Sequence, residues 1–327
     1  ITGSGKTLLQ ATYDRFHHFI PADHIYIITH EYYRDQTMEA IPGFNEENII
    51  CEPSRNNTAA SVALASFKLN KLDPDAVCIV SPADHIILKE DVFQQAIIDA
   101  VNHSYSFNSI ITLGITPTRP DTGYGYIEFD KENNEAIRKV KSFREKPDLN
   151  SARQYLKEGN FAWNSGLFIW RLDNILNSFQ AYSPQIYSVL AGGIDVYNTE
   201  QEQAFLRNEY PLTEKTSVDY AILEKAENVY TIPCDIGWSD LGTWSSLYDL
   251  SAKDENQNVA LTHPVHFEDT KNTMLISSNE KLVVVRGLED FIIVDTKDCL
   301  LIYPKSEEQN IKSLKESLNK AGLDNYL

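Results

Sequence analysis

Two acidic residues stand where short apolar runs give way to polar turns, and both positions suit phosphate or base chemistry. Ser81-Pro82-Ala83-Asp84-His85 follows the apolar run Val77-Cys78-Ile79-Val80 directly. An acid just past a buried strand is well placed to hold Mg²⁺ against substrate phosphates, although the same acid can cap a helix. Glu52 follows the run Asn48-Ile49-Ile50-Cys51 and opens Glu52-Pro53-Ser54-Arg55-Asn56-Asn57-Thr58-Ala59-Ala60. Asn57 or Thr58 can cap the small-residue helix that comes next, turning its free N–H groups toward an anion or a base. The Glu52 carboxylate can accept the N1–H and the exocyclic amine of guanine together, a pair that adenine and uracil lack. A polar turn ahead of a capped helix explains the same residues.

Further along, Pro120-Asp121-Thr122-Gly123-Tyr124-Gly125-Tyr126-Ile127 offers two glycines where a backbone turns sharply or lets a ligand approach. A hairpin accounts for them equally well. Phe143-Arg144-Glu145-Lys146-Pro147 sets an acid beside a cation. A carboxylate binds sugar hydroxyls and an ammonium meets a phosphate, so this pair suits a sugar phosphate, and an exposed turn suits it too. Asn164, in Trp163-Asn164-Ser165-Gly166, can donate to and accept from vicinal hydroxyls. Asp219, in Ser217-Val218-Asp219-Tyr220, starts a helix, where an acid is favourable in any case. Asp235-Ile236-Gly237-Trp238-Ser239-Asp240-Leu241-Gly242-Thr243-Trp244 pairs acids with aromatic residues: Trp238 can pack on a sugar face and Asp240 can be a second metal ligand.

The elements that would position these groups alternate up to about residue 250. Strands are expected at 25–28, 48–51, 76–80 and 109–113, and helices at 58–65 and 91–103. That order implies parallel βαβ units, with ligands gathered at the carboxyl ends of the strands. After about residue 257 short strands recur at 272–276, 281–286, 291–295 and 299–303, either a small sandwich or a few rungs of a β-helix. A charged helix over 308–320 follows.

Composition narrows the classes. The 327 residues hold 29 Lys and Arg against 47 Asp and Glu, and the net charge of −18 argues against nucleic-acid or anionic-membrane binding. No apolar run is long enough to span a bilayer and no secretory signal is visible, so the expected location is the cytoplasm. Cys51, Cys78, Cys234 and Cys299 lie far apart and are expected to be reduced, buried thiols. Gly3-Ser4-Gly5-Lys6-Thr7 imitates the end of a phosphate-binding loop, but a turn into a helix capped by Thr or Ser is the commoner origin of such a segment.

Taken in order, Glu-Pro-x-Arg-Asn-Asn-Thr-Ala-Ala, Ser-Pro-Ala-Asp-His, Thr-Gly-Tyr-Gly-Tyr-Ile, Glu-Lys-Pro, Trp-Asn-Ser-Gly and Gly-Trp-Ser-Asp-x-Gly-Thr-Trp resemble the mannose-1-phosphate guanylyltransferase family. The resemblance runs from about Thr7 to the end of the chain. It implies an α/β fold: a Rossmann-like nucleotidyltransferase domain over 1–257 with a mixed, mainly parallel sheet. A small β-rich, left-handed β-helix-like segment over 258–327 would follow, closed by a helix. It further implies transfer of GMP from GTP to mannose 1-phosphate with Mg²⁺ or another divalent cation, and a homodimer. Asp84 and Asp240 would hold the metal, and Lys146 would act with them in catalysis. Glu52, Pro53, Arg55, Asn57 and Thr58 would bind the nucleotide. Gly125, Glu145, Lys146, Asn164, Asp219 and Trp238 would bind the sugar phosphate. In the family a Gly-rich loop that grips the triphosphate lies immediately upstream of the stretch matching Ile1, so a preceding segment is expected. Rival readings are transfer to another base or sugar, a catalytically silent sugar-nucleotide sensor, and a P-loop kinase.

Overall fold

The computed structural model describes residues 5–131, 135–262 and 264–326. The chain divides into two compact units, one ending at Trp238 and the other beginning at Ser239.

The first unit opens on helix α1 (Leu8–His17), which Thr7 caps by accepting the Gln10 N–H at 3.1 Å. Gly3 and Ser4 of the apparent phosphate loop lie outside the described residues, and Gly5 to Thr7 form a bend into this capped helix. Strands β1 (Ile27–His30) and β2 (Ile49–Glu52) pair in parallel on either side of helix α2 (Arg34–Ala40). Helix α3 (Asn57–Leu72) then packs closely through Ala59, Ala60, Ala63 and Leu64, all fully buried. Small side chains let its backbone approach its neighbours, and Ala carries no cost in helix propensity. Strand β3 (Val77–Val80), the two-residue strand β4 (Ile86–Ile87), helix α4 (Glu90–Phe107) and strand β5 (Ile110–Ile115) follow.

Strands β6 (Tyr126–Phe129), β7 (Arg138–Arg144), β8 (Phe161–Arg171) and β9 (Val229–Cys234) complete a six-stranded sheet ordered β3-β8-β5-β9-β7-β6. The sheet is mixed, as expected, but it is not mainly parallel. β5 and β9 run parallel, whereas β8 is antiparallel to β3, β5 and β6, and β7 to β6 and β9. The reason lies in the connections. The unit β3–α4–β5 is the crossover that the alternation predicts, but the later strand β8 inserts between its two strands in the opposite direction. β6 and β7, consecutive in the chain, pair antiparallel. Helices α5 (Leu149–Glu158), α6 (Leu172–Tyr182), α7 (Pro184–Ala191) and α8 (Glu202–Glu209) fill the remaining connections.

The two-residue strand β10 (Trp238–Ser239) falls at the boundary, and the second unit continues with helix α9 (Trp244–Leu250). Strands β11 (Val259–Ala260), β12 (Val265–Glu268), β13 (Met274–Ser277), β14 (Val283–Arg286), β15 (Phe291–Asp295) and β16 (Leu300–Pro304) precede helix α10 (Ile311–Lys320). β12 stacks in parallel on β14 and β13 on β15, with Val265 over Val283 and Met274 over Ile292. Repeated parallel stacking around buried Leu275, Val285 and Ile293 is β-helix architecture rather than a sandwich. β16 ends the stack by turning back antiparallel on β15.

No disulfide joins the cysteines, but their expected burial needs correction: Cys51, Cys78 and Cys234 are half-buried, and Cys299 is exposed in the turn before β16. Burial pushes the Cys78 thiol up to about 11 and the Cys234 thiol up to about 12. Among the described residues no helix is long and apolar enough to cross a membrane.

Candidate active site

Glu52 is the last residue of β2 and points into a set of neutral donors. Its Oε1 accepts from Ser61 Oγ at 2.7 Å and from the hydroxyl of Tyr210. Burial and the neighbouring Glu52 charge both push the Tyr210 phenol far up, so it is a donor at any working pH. The polar turn after Glu52 is held from below by Asn56, which is fully buried. Its amide donates to the Tyr210 and Thr213 carbonyls, both at 3.1 Å, and to Thr213 Oγ1 at 2.8 Å.

Asn57 stands in the left-handed region at φ 66°, a conformation that Asn tolerates better than most residues, and its Oδ1 accepts the Thr58 N–H at 2.8 Å. The N-cap position of α3 is Asn56, which makes no side-chain capping bond, so the expected capping by Asn57 or Thr58 is corrected: the Asn57 bond reaches only its next neighbour, and the Thr58 hydroxyl accepts the Val218 N–H at 3.0 Å. The Ala59 N–H donates to the Thr216 carbonyl at 3.1 Å. The chain itself thus occupies the Thr58 and Ala59 N–H groups, which corrects the expectation that they face a ligand. Arg55 is exposed, with its guanidinium over the Tyr33 ring and donating to the Tyr33 hydroxyl at 2.6 Å. Pro53 lies half-buried beside them.

The sugar-phosphate residues expected from sequence come together more completely. Gly125, just before β6, leaves so little room that a Cβ there would lie 2.5 Å from Glu145 Oε2 and 3.6 Å from Asn164 Cβ. Asn164, in β8, donates its backbone N–H to the Gly125 carbonyl at 2.8 Å and its amide to Asp219 Oδ1 at 2.9 Å. Glu145 follows β7, and Lys146 stands beside it at φ 44° with Nζ 3.5 Å from Glu145 Oε1. Asp219 begins a single π-helical turn, Asp219–Leu223, a distortion common at functional positions.

Burial raises the Glu145 carboxyl above the ordinary range; Lys146 opposes this and the nearby Asp219 charge adds to it. Burial likewise raises Asp219, against hydrogen bonds from its own backbone, Asn164 and Ser217. The result is a half-buried cluster of two acids, an amide and an exposed ammonium around a glycine. Such a cluster can hold vicinal hydroxyls on one side and an anion on the other.

Asp84 is exposed in the loop between β3 and β4, its Oδ1 3.8 Å from His85 Nε2. It does not cap a helix. The Trp238 indole N–H donates to His85 Nδ1 at 3.1 Å, which fixes the imidazole proton on Nε2, the nitrogen nearer Asp84. Trp238 also packs edge-on against Tyr124, with centroids 5.3 Å apart, and Tyr124 precedes Gly125 in sequence. Asp240 belongs to the second unit, where its Oδ1 accepts the Gly242 N–H at 3.0 Å.

Sequence reasoning assigned no role to Tyr210, Ser61, Asn56 or His85. The contact between Tyr210 and Glu52 spans 158 positions, and no local pattern announces it. Gly114 was also missed: a Cβ there would lie 2.6 Å from Thr231 Oγ1 and 2.8 Å from Ala162 Cβ. This close packing coincides with a register shift that sets Asn164 opposite Gly114.

Comparison with known proteins identifies the family and the fold. The Nucleotidyl transferase family matches residues 2–257, and the MannoseP isomerase/GMP-like beta-helix domain matches residues 268–318. A mannose-1-phosphate guanylyltransferase of Escherichia coli is 32% identical over 330 residues, covering 97% of this chain and 67% of its own length. One from Salmonella montevideo is 34% identical, covering 96% of this chain and 67% of its own length. The chain thus spans about two thirds of these relatives. Among solved structures, one described as a mannose-1-phosphate geranyltransferase of Thermus thermophilus superposes with a TM-score of 0.82 at 25% identity, over 96% of this chain and 90% of its own. With its catalytic domain followed by that β-helix domain, the chain belongs to the mannose-1-phosphate guanylyltransferase family of nucleotidyl transferases.

Proposed function

We propose that the protein transfers GMP from GTP to mannose 1-phosphate, giving GDP-mannose and pyrophosphate. The observation that carries this reading is the convergence of Gly125, Glu145, Lys146, Asn164 and Asp219 from separate strands and a π-helical turn. In it Glu145, Asn164 and Asp219 take the sugar hydroxyls, and Lys146 meets the phosphate. Glu52 reads the guanine base from the end of β2.

The reaction is in-line attack of a mannose 1-phosphate oxygen on the α-phosphorus of GTP. That oxygen is already ionised, so no general base is required. The difficulty is bringing two anions together: each pair of unit charges at roughly 5 Å repels by about 3 kcal/mol at an effective dielectric near 20. Neutralisation and positioning therefore supply most of the catalysis. Lys146 contributes a cation at the sugar phosphate. Asp84, exposed at the end of β3, fits a carboxylate ligand for a divalent cation such as Mg²⁺. Among the described residues no three His, Cys, Asp or Glu side chains gather as a metal cage. Mg²⁺ takes one or two carboxylates and completes its shell with water and substrate phosphates. When bound, the cation neutralises phosphate charge.

The test offers the protein mannose 1-phosphate and Mg²⁺ with GTP, ATP, UTP or CTP in turn and measures sugar nucleotide and pyrophosphate. GDP-mannose from GTP, well above the others, is expected. Equal use of another nucleotide overturns the base assignment.

A further inference from the structure

We infer that Tyr210 orients Glu52 for base recognition and is thereby a specificity-determining positioning residue. The inference rests on the reading of Glu52 as the group that meets guanine. Tyr210 is fully buried, and its hydroxyl donates to Oε1 of Glu52. Ser61, four residues into α3 from Asn57, donates to the same oxygen at 2.7 Å. Two donors on one carboxylate oxygen restrain the group's rotation, and the Ser61 hydroxyl, also 3.1 Å from the Asn57 carbonyl, is the weaker of the two restraints. Among the described residues Oε2 has no hydrogen-bond donor, so it is the oxygen left to accept an N–H of the base.

Tyr210 is itself fixed at its other end. Its carbonyl accepts from the buried Asn56 amide at 3.1 Å and from Thr213 Oγ1 at 2.8 Å. Asn56 belongs to the turn that Glu52 opens, so ring, turn and carboxylate form one braced unit. A carboxylate held in this way enters the complex with its rotational freedom already removed, and a loosely held one would lose that freedom on binding. Tyr210 does not touch the base in this arrangement and acts through Glu52.

The experiment compares Tyr210→Phe, Ser61→Ala and Glu52→Gln in the full-length protein. It reads KM and kcat for GTP and ATP, with thermal melting as the measure of fold. Tyr210→Phe should raise KM for GTP roughly tenfold, with kcat within about twofold, and lower the preference for GTP over ATP by a similar factor. Ser61→Ala should do the same to a smaller degree. If Tyr210→Phe and Ser61→Ala keep wild-type KM and preference while Glu52→Gln loses both, the inference is overturned and the base assignment stands. If Glu52→Gln itself keeps the preference, the base assignment fails and takes the inference with it. Should Tyr210→Phe not fold, Ser61→Ala decides alone, since it removes a donor from the same oxygen without touching the core.

Discussion

Replacing Gly125 by Ala adds one methyl group at the point where the sugar-phosphate cluster is tightest. The new Cβ would lie 2.5 Å from Glu145 Oε2, about 1 Å inside ordinary van der Waals contact, and 3.6 Å from Asn164 Cβ, which is comfortable. The conflict therefore falls on the carboxylate, the far end of a flexible side chain, which swings away at small cost to the fold. Gly125 does not have positive φ, so Ala fits its backbone and should gain roughly 0.4–1 kcal/mol from the less mobile unfolded chain. Function should respond differently. A displacement of about 1 Å in a positioning group can cost on the order of 100-fold, or about 2.7 kcal/mol of transition-state stabilisation. Gly125→Ala should thus melt at or near the wild-type temperature and lose roughly 100-fold in kcat/KM for mannose 1-phosphate. Steady-state kinetics with saturating GTP, beside a melting curve, decide the matter. Wild-type kcat/KM in a folded variant would refute the placement of Glu145 at the sugar.

Lys146→Ala should raise KM for mannose 1-phosphate, lower kcat, or both, and leave GTP affinity nearly unchanged by calorimetry; collapse of GTP affinity alone would move Lys146 to the nucleotide. Asp84→Asn and, separately, Asp240→Asn should each lower turnover sharply in a folded protein, and full turnover at ordinary Mg²⁺ would remove that residue from the metal chemistry. Because burial raises the Glu145 carboxyl, the folded chain binds its proton more tightly than the unfolded chain, and stability falls as pH rises from the ordinary carboxylate range through the raised value. Glu145→Gln should lose less melting temperature than wild type from about pH 4 to about pH 7, and equal slopes would contradict its burial. Asp295 has the opposite sign: Asn279, Ser277 and Lys281 hold its carboxyl at about 2, so its contribution is present above the ordinary carboxylate value and lost as pH falls toward about 2. Asp295→Asn should flatten that acid limb, and an unchanged limb would remove Asp295 from the acid response.

What was legible in the sequence followed from local pattern. The runs at 76–80 and 109–113 are mostly apolar and read as strands, and strands form there at Val77–Val80 and Ile110–Ile115. The insertion of β8 between β3 and β5 was not legible, because strand direction depends on a connection through α5 and not on the composition of Phe161–Arg171. The residues proposed for the sugar phosphate were singled out by motif order and family resemblance, and the structure brings Asn164 and Asp219 together across 55 positions. Asn56 was read only as part of a turn, since nothing local separates a buried Asn that braces distant carbonyls from an exposed one. The ends of α3 show the same limit. A helix start was evident, but whether its N–H groups serve a ligand or Thr216 depends on a segment far along the chain.

The most direct test of the account uses GDP-mannose, because one molecule spans both proposed sites. Its affinity, and that of GDP, should be measured by calorimetry for wild type, Glu52→Gln and Glu145→Gln. The account predicts that both variants bind GDP-mannose roughly tenfold or more weaker, whereas GDP is weakened by Glu52→Gln alone. If Glu145→Gln binds GDP-mannose as wild type does, the cluster around Gly125 is not the sugar site.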